Sequence, residues 1–304
     1  MRWFESPNIN FVGNRKVAYI VSGILILISL GAILTKGLQY GIDFKGGKEI
    51  VLKFDKPVDV AEIREVLSEP LGSTPEVKLF GGNTEVLIRT DNASVMDEIE
   101  DIIIRTTQAT YPGHKVLVEK SDTVGPKFAE DLKMSALQSI LYAMVIIFIY
   151  ILIRFRNWTF SAGAVVALIH DVIITLGAFT ILSDIVSFSL LIDQNLIAAF
   201  LTIVGYSLND TVVVFDRIRE NKLVHKGMEF IPMVNKSLND TLSRTVITSL
   251  TTLFVVLVLF IFGGEVLKGF SFALLIGIVL GTYSSLFVAS SLVIELEGKS
   301  KKSK

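Results

Sequence analysis

The chain has 304 residues, of which 51% are hydrophobic and 19% are charged, and its mean hydropathy is +0.59. This composition is too apolar for a single soluble domain of that length, so it indicates a membrane protein. The net charge of -1 disfavours nucleic-acid binding, and the absence of cysteine excludes disulfides, thiolate metal sites and cysteine nucleophiles.

Several apolar segments are long enough to cross the hydrocarbon layer, which takes about 20 residues of helix. They cover residues 17–34, 134–153, 160–182, 196–215, 246–262 and 270–294. The first follows Arg15 and Lys16 in the manner of a signal peptide, but no small-residue cleavage site follows its apolar core. We therefore predict that it is retained as a transmembrane helix.

The connecting loops predict the orientation, because short loops rich in Lys and Arg stay in the cytoplasm. Basic residues accumulate before the first span, after the second, between the fourth and fifth, and in the C-terminal tail. The opposite short loops contain only Lys268 among basic residues. This pattern predicts a multi-pass protein with both termini in the cytoplasm.

The segment between the first two spans carries the charged surface of a folded domain. Its periodicity predicts strands at 48–54, 75–80, 85–90 and 115–119, and helices at 58–68 and 95–110. The order β-α-β-β-α-β predicts a ferredoxin-like α+β domain outside the membrane. The predicted organisation divides the chain into a cytoplasmic segment, a first transmembrane helix, the extracytoplasmic domain, a five-helix bundle and a basic cytoplasmic tail, at residues 1–16, 17–34, 35–133, 134–294 and 295–304.

Two spans contain a carboxylate, which costs at least about 2.5 to 3.5 kcal/mol near the bilayer centre and usually survives for a function or a partner. In the third span, Asp171 shares a helix face with Gly163, Ala167 and Thr175, and His170 precedes it. Small residues on that face predict a close helix contact. A functional role and a hydrogen-bonded structural role both fit Asp171 and His170.

In the fourth span, Asn209 and Asp210 interrupt an apolar run. The fifth span opens with Arg244, followed at helical spacing by Thr248. We expect Arg244 to be the counter-ion of Asp210 and to keep the carboxylate charged until a proton competes. The alternative is that Asp210 bonds the Thr211 hydroxyl or a neighbouring backbone group while Arg244 reaches lipid phosphate.

The rest of the sequence gives no sign of a catalytic, metal or nucleotide site. His114, His170 and His225 are scattered, and no metal-ligand cluster, nucleophile–base pair or nucleotide motif is visible. We therefore predict neither an enzyme nor a cofactor.

In the sixth span, small residues spaced four apart predict a structural seam for tight helix packing. They are Ala273, Gly277, Gly281, Ser285 and Ala289.

Three motifs together resemble the SecF members of the SecD/SecF family of protein-export membrane proteins. They are Gly41-Ile42-Asp43-Phe44-Lys45-Gly46-Gly47, the fourth-span stretch at 205–221 and Thr241-Leu242-Ser243-Arg244-Thr245. The likeness covers essentially the whole chain. Lys45 stands where a small polar residue is common in the glycine motif.

The resemblance implies an inner-membrane subunit of the resistance-nodulation-division superfamily. It implies SecD as a partner, work beside the SecYEG channel and YajC, and use of the proton motive force to promote preprotein translocation. It associates Asp210 and Arg244 with proton transport. We also expect the glycine motif, with Gly41, Asp43, Gly46 and Gly47, to act as a hinge between the first span and the outer domain.

Two other functions remain open at this stage. A self-sufficient small-solute exporter of the same superfamily would typically need twelve spans, so six spans favour a half that requires a partner. A passive scaffold of the channel would not depend on Asp210. The sequence leaves the coupling ion open between a proton and sodium.

Overall fold

The computed structural model describes residues 8–91, 98–186 and 188–302. In these residues six helical segments are long and apolar enough to cross a membrane. They are α1 (Arg15–Lys36), α5 (Pro126–Phe155), α6 (Trp158–Leu182), α7 (Gln194–Val224), α8 (Phe230–Phe262) and the last span, in which α9 (Glu265–Ser284), a π-helical segment (Ser285–Ala289) and α10 (Ser290–Lys302) are continuous. The prediction of six apolar spans is confirmed.

Several helices extend beyond the apolar runs from which they were predicted. The second span begins at Pro126 rather than at residue 134, and α7 and α8 continue into polar sequence. Hydropathy detects only the part of a helix that meets lipid, whereas backbone hydrogen bonds continue through polar residues at either end. As a result, helix α5 crosses the predicted domain boundary at 133/134.

In its described residues, the segment between α1 and α5 contains a four-stranded sheet and three helices, of which the first is a single turn. The elements are α2 (Ile42–Lys45), β1 (Gly47–Phe54), α3 (Val60–Ser68), β2 (Glu76–Leu79), β3 (Glu85–Thr90), α4 (Ile99–Thr110) and β4 (Val116–Val124). The strand order is β2-β3-β1-β4, and all neighbouring strands are antiparallel. Residues 95–97 of the predicted second helix lie outside the described residues.

The sheet and helices α3 and α4 enclose an apolar core. Alternate residues of β1, namely Ile50, Leu52 and Phe54, pack on the buried helix positions Ile63 and Ile103. The remaining apolar core positions include Leu67, Leu71, Val77, Val86, Ile88 and Ile99. Apolar residues recur at every second position in the strands and at every third or fourth position in the helices. Each element thus turns one apolar face toward the same core, as the sequence pattern predicts.

In the membrane bundle α6, α7 and α9 are central, whereas α1, α5 and α8 are peripheral. Half of the α6 span is buried, and so is half of the last span, but only 6% of the α5 span is buried. Bare glycine faces allow the central contacts: a Cβ on Gly281 would lie 2.9 Å from the Cβ of Ser207, and one on Gly277 would lie 2.4 Å from the side chain of Ile203. Gly277 and Gly281 of the predicted small-residue seam therefore pack α9 closely against α7.

Candidate functional site

Asp171 lies in the centre of the bundle, and its side chain is fully buried. Its Oδ1 atom is 2.9 Å from His170 Nδ1, and its Oδ2 atom accepts hydrogen bonds from Ser207 on α7 at 2.9 Å and Ser284 on α9 at 2.7 Å. Both carboxylate oxygens are therefore hydrogen-bonded, as a buried carboxylate requires. The arrangement joins α6 to α7 and α9.

His170 extends this network to the first helix. Its Nε2 atom lies 3.1 Å from Ser22 Oγ of α1, and Ser22 Oγ lies 3.0 Å from the Tyr283 hydroxyl of α9. Tyr283 in turn donates to the Ala18 carbonyl at 3.0 Å. The pair His170–Asp171 is thus the centre of a polar network that contacts four spans.

Asp210 is buried on α7, three residues beyond Ser207. Its Oδ2 atom accepts a hydrogen bond of 3.4 Å from Ser249 of α8, and Ser249 lies 2.6 Å from the Thr282 hydroxyl of α9. The Thr211 hydroxyl donates to the Ser207 carbonyl, so it does not serve Asp210 in this structure. Among the described residues, Asp210 therefore has one long hydrogen bond where Asp171 has three shorter ones.

Arg244 does not form the direct ion pair that the sequence suggested. In the part of the chain that the structure describes, no Asp210–Arg244 salt bridge lies within 4.0 Å, and Arg244 is exposed. Asp210 instead points to Ser249, which lies five residues after Arg244 and so about 140° around α8. The sequence spacing predicted that Asp210 and Arg244 lie at a similar depth in the membrane, but it did not determine how α8 is rotated about its axis.

Arg244 borders an open cavity of about 770 Å³ between α7, α8 and the end of α5. Asn209 lies on the exposed side of α7 in the same cavity. Thr248 is half-buried, and its hydroxyl donates to the Arg244 carbonyl at 2.9 Å. Asn209 and Arg244 therefore form an exposed polar face of this cavity, and Thr248 lies beside it on α8.

The glycine motif joins the outer domain to α7. Gly41 N–H donates to the Ile192 carbonyl at 2.9 Å, and Asp43 Oδ2 accepts from the Gln194 N–H at the first turn of α7, also at 2.9 Å. Asp193 caps the same helix by accepting from Leu196 N–H. Asp43 and Asp193 thus hold the N-terminus of the helix that carries Asp210.

Burial raises the pKa of Asp193 above its ordinary value, and the nearby negative charge of Asp43 adds to this rise. The two carboxylates border a cavity of about 230 Å³ beneath the sheet. Arg89 and Lys120 lie in the same cavity, where both form ion pairs with the buried Glu49. The interface between sheet and membrane helices is therefore rich in paired charges.

Gly46 and Gly47 meet strict steric requirements. Their φ angles are +78° and +127°. A Cβ on Gly47 would lie 2.5 Å from the Thr90 carbonyl oxygen, and one on Gly46 would lie 3.1 Å from Pro126 Cα. The glycines thus serve a tight junction in this structure, and their action as a hinge stays a prediction.

Sequence comparison identifies the family. The family model described as "Protein export membrane protein SecD/SecF, C-terminal" matches residues 104–299, and the "SecD/SecF GG Motif" matches residues 31–58. The chain belongs to the SecD/SecF family. The Protein translocase subunit SecF of Rhodothermus marinus is 56% identical over 299 residues, covering 98% of this chain and 96% of the relative. That of Calditerrivibrio nitroreducens is 44% identical, covering 98% and 97%.

Solved structures agree with this assignment to the SecD/SecF family. The crystal structure of SecDF, a translocon-associated membrane protein from Thermus thermophilus, superposes with a TM-score of 0.86 at 37% identity over 97% of this chain. The chain spans 40% of the length of that SecDF chain. It is a SecF-type subunit of the Sec protein-export machinery, and it corresponds to less than half of a SecDF chain.

The sequence singled out both carboxylates but missed their partners. Ser22, Ser207, Ser249 and Ser284 are single hydroxyls on different helices, and serine is common in apolar spans at packing interfaces. Only the position of Ser207, one turn before Asp210 on the same face, could have drawn attention to it. Within the described ranges, no group of three or more His, Asp or Glu residues has the geometry of a metal site.

Proposed function

We propose that this SecF-type subunit works with SecD and uses the proton motive force to promote preprotein translocation, with Asp210 and Arg244 as the proton-coupling residues. The observation that carries the proposal is the environment of Asp210, which is buried inside a span and has a single hydrogen bond, of 3.4 Å, to the described part of the chain. One long hydrogen bond offsets little of the cost of burying a charged carboxylate, so binding a proton stabilises this group. One charge that crosses 100 mV releases about 2.3 kcal/mol, which is enough to shift a two-state equilibrium.

Arg244 acts on Asp210 from a distance rather than through a direct salt bridge in this state. Deprotonated Asp210 attracts the guanidinium toward the space between α7 and α8, and protonation removes that attraction. The cavity of about 770 Å³ beside Arg244 gives the side chain room to move. Each cycle of proton binding and release thus weakens and restores the attraction between α7 and α8.

Motion of α7 reaches the outer domain through its N-terminus. Asp43 of the glycine motif accepts a hydrogen bond from the Gln194 N–H, and Gly41 bonds to Ile192 just before the helix. A shift of α7 along its axis therefore pulls on the junction that leads into β1. We propose that residues 35–133 move in response, with Gly46 and Gly47 at the point of bending.

Residues 35–133 form, in this proposal, a ferredoxin-like domain outside the inner membrane. The strand order β2-β3-β1-β4 with antiparallel neighbours supports that fold, and the basic loops at the opposite ends of the spans support cytoplasmic termini. The SecYEG channel, YajC and the emerging preprotein are the partners that such a placement brings near. SecD covers the exposed polar face of Asn209 and Arg244, because lipid tails cannot satisfy those groups.

The test is preprotein export in membranes that contain SecD, measured with and without an imposed pH gradient. Asp210→Asn keeps the size of the side chain but cannot release a proton, so it should abolish the gradient-dependent part of export and spare the rest. Asp184→Asn is the control, since Asp184 is an exposed carboxylate beyond the end of α6, outside the cavity that Arg244 borders, where it pairs with Lys36. It should behave as the wild type.

Other outcomes would favour the alternatives. Full gradient-dependent export by Asp210→Asn would contradict the proposed role of Asp210 and favour a passive scaffold. Stimulation by a sodium gradient at constant pH would replace the proton with sodium. Transport of a small solute by the purified chain alone, without SecD or preprotein, would support an independent exporter.

A further inference from the structure

The polar network around His170 contains an unbroken series of four contacts. The Ala18 carbonyl contacts the Tyr283 hydroxyl at 3.0 Å, and this hydroxyl contacts Ser22 Oγ at 3.0 Å. Ser22 Oγ contacts His170 Nε2 at 3.1 Å, and His170 Nδ1 contacts Asp171 Oδ1 at 2.9 Å. All four distances are those of hydrogen bonds, so each contact needs one hydrogen atom.

Counting hydrogens determines the protonation of the pair. The Ala18 carbonyl has no hydrogen to donate, and the Tyr283 and Ser22 hydroxyls supply one each. Because Tyr283 donates to Ala18, Ser22 has to donate to Tyr283 and is left as an acceptor toward His170. His170 Nε2 must then carry a hydrogen, and a second must lie between Nδ1 and Asp171.

A neutral imidazole and an ionised carboxylate have only one hydrogen for these two contacts. The pair in this structure therefore holds one additional proton, either as imidazolium with carboxylate or as neutral imidazole with carboxylic acid. Its net charge is zero in both forms, which suits its complete burial. The Oδ2 atom of Asp171 accepts from Ser207 and Ser284 in either form.

We propose that His170 and Asp171 form a second proton-binding site in the membrane domain, and that the bound proton holds α1 against α6 and α9. Release of the proton leaves four contacts with three hydrogens, so one contact has to open. Three of the four contacts join α1 to another helix, through Ala18 or Ser22, whereas His170 and Asp171 are neighbours on α6. Helix α1 therefore loosens when the pair is deprotonated.

The polar groups that contact the pair from the neighbouring helices are hydroxyls. Helix α1 presents the Ser22 hydroxyl to it, and α9 presents Ser284 and the Tyr283 phenol. Helix α7 presents Ser207, with Asp210 one turn further along. In the described ranges the only ion pair of Asp171 within 4.0 Å is the one with His170.

Two features connect the site to the rest of the molecule. The π-helical segment Ser285–Ala289 begins directly after Ser284, and such segments are frequent at functional sites in helices. Helix α1 leads through Gly37, with its φ of +74°, to the motif that begins the outer domain. The state of the pair can therefore reach the junction at Gly41 without passing through Asp210, and the proposal does not depend on the roles of Asp210 and Arg244.

Nitrogen NMR of the histidine ring tests the proton count directly. The chain has three histidines, so His114→Gln with His225→Gln leaves His170 as the single signal of full-length protein in lipid nanodiscs. We expect Nε2 to be protonated, with Nδ1 either protonated as well or hydrogen-bonded to a carboxylic acid. A neutral ring that carries its proton only on Nδ1 would overturn the proposal.

Asp171→Asn tests the coupling to α1, because its amide supplies a permanent hydrogen to Nδ1 while its carbonyl accepts from the serines. Spin labels at Leu27→Cys on α1 and Val166→Cys on α6 occupy exposed positions in a chain without other cysteines. We expect the distance between the labels to lengthen as the pH rises in otherwise wild-type protein and to stay constant with Asp171→Asn. Asp216→Asn, which alters an exposed carboxylate of α7 that pairs with Arg154 of α5, is the control and should retain the response. The same response with Asp171→Asn, or no response in the wild-type background, would refute the coupling.

Discussion

The contact between α1 and α6 depends on the missing side chain of Gly177. A Cβ built on this residue would lie 2.2 Å from Ser29 Cβ and 2.6 Å from Ser29 Cα. Carbon atoms attract best at about 3.5 to 4.0 Å, so Gly177→Ala forces the two helices apart by about 1.3 Å or more. The obstacle includes backbone, which cannot rotate away as a long side chain can.

Overpacking of this kind costs about 1 to 3 kcal/mol, and we expect Gly177→Ala to lie in the upper part of that range. The measurement is the free energy of unfolding in a titration of mixed micelles with sodium dodecyl sulfate. Gly205→Ala is the matched control, because Gly205 is also inside a span and no group of a neighbouring helix in the described chain lies within 4 Å of the position that its methyl would take. This control should be neutral or stabilising by up to about 1 kcal/mol through helix propensity.

A second substitution tests the assigned cause. Ser29→Gly removes the side-chain atoms that the new methyl meets, so it should recover part of the stability lost by Gly177→Ala. If Gly177→Ala proved as stable as Gly205→Ala, the helices could not be as close as described. If Ser29→Gly gave no recovery, the loss would have to arise elsewhere.

Two further predictions concern the junction between the outer domain and α7. Gly47→Ala places a methyl 2.5 Å from the Thr90 carbonyl oxygen at a φ of +127°, so we expect a loss of about 1 to 3 kcal/mol in unfolding free energy, whereas Gly82→Ala, with open space around it, should be silent. Because the pKa of Asp193 is raised in the folded protein by burial and by Asp43, its stabilising contribution is complete below the ordinary aspartate pKa and falls as pH rises through the raised value. Asp193→Asn should remove that dependence and keep the helix cap, while Asp193→Ala should be less stable than Asp193→Asn by about 1 kcal/mol. Thermal unfolding across a pH series checks both variants, and an unchanged pH dependence with Asp193→Asn would contradict the assignment.

The sequence alone determined the features that depend on local periodicity. Apolar runs long enough to cross lipid located all the spans, since hydrocarbon imposes a fixed length on a helix. Alternation in 48–54 and a three-to-four spacing in 58–68 placed β1 and α3 within two residues of their observed bounds. The third-span face with Gly163, Ala167 and Asp171 was also correct, because small residues at helical spacing indicate close packing wherever the partner comes from.

Only the tertiary structure decided which groups meet. Asp43 bonds Gln194, His170 bonds Ser22, and Asp171 bonds Ser284, and each pair is more than a hundred residues apart in the chain. The rotation of each span about its axis selects these partners, and this rotation results from packing against all its neighbours at once. That is why the sequence could name Asp210 as a buried carboxylate but could not foresee Ser249 at its side in place of Arg244.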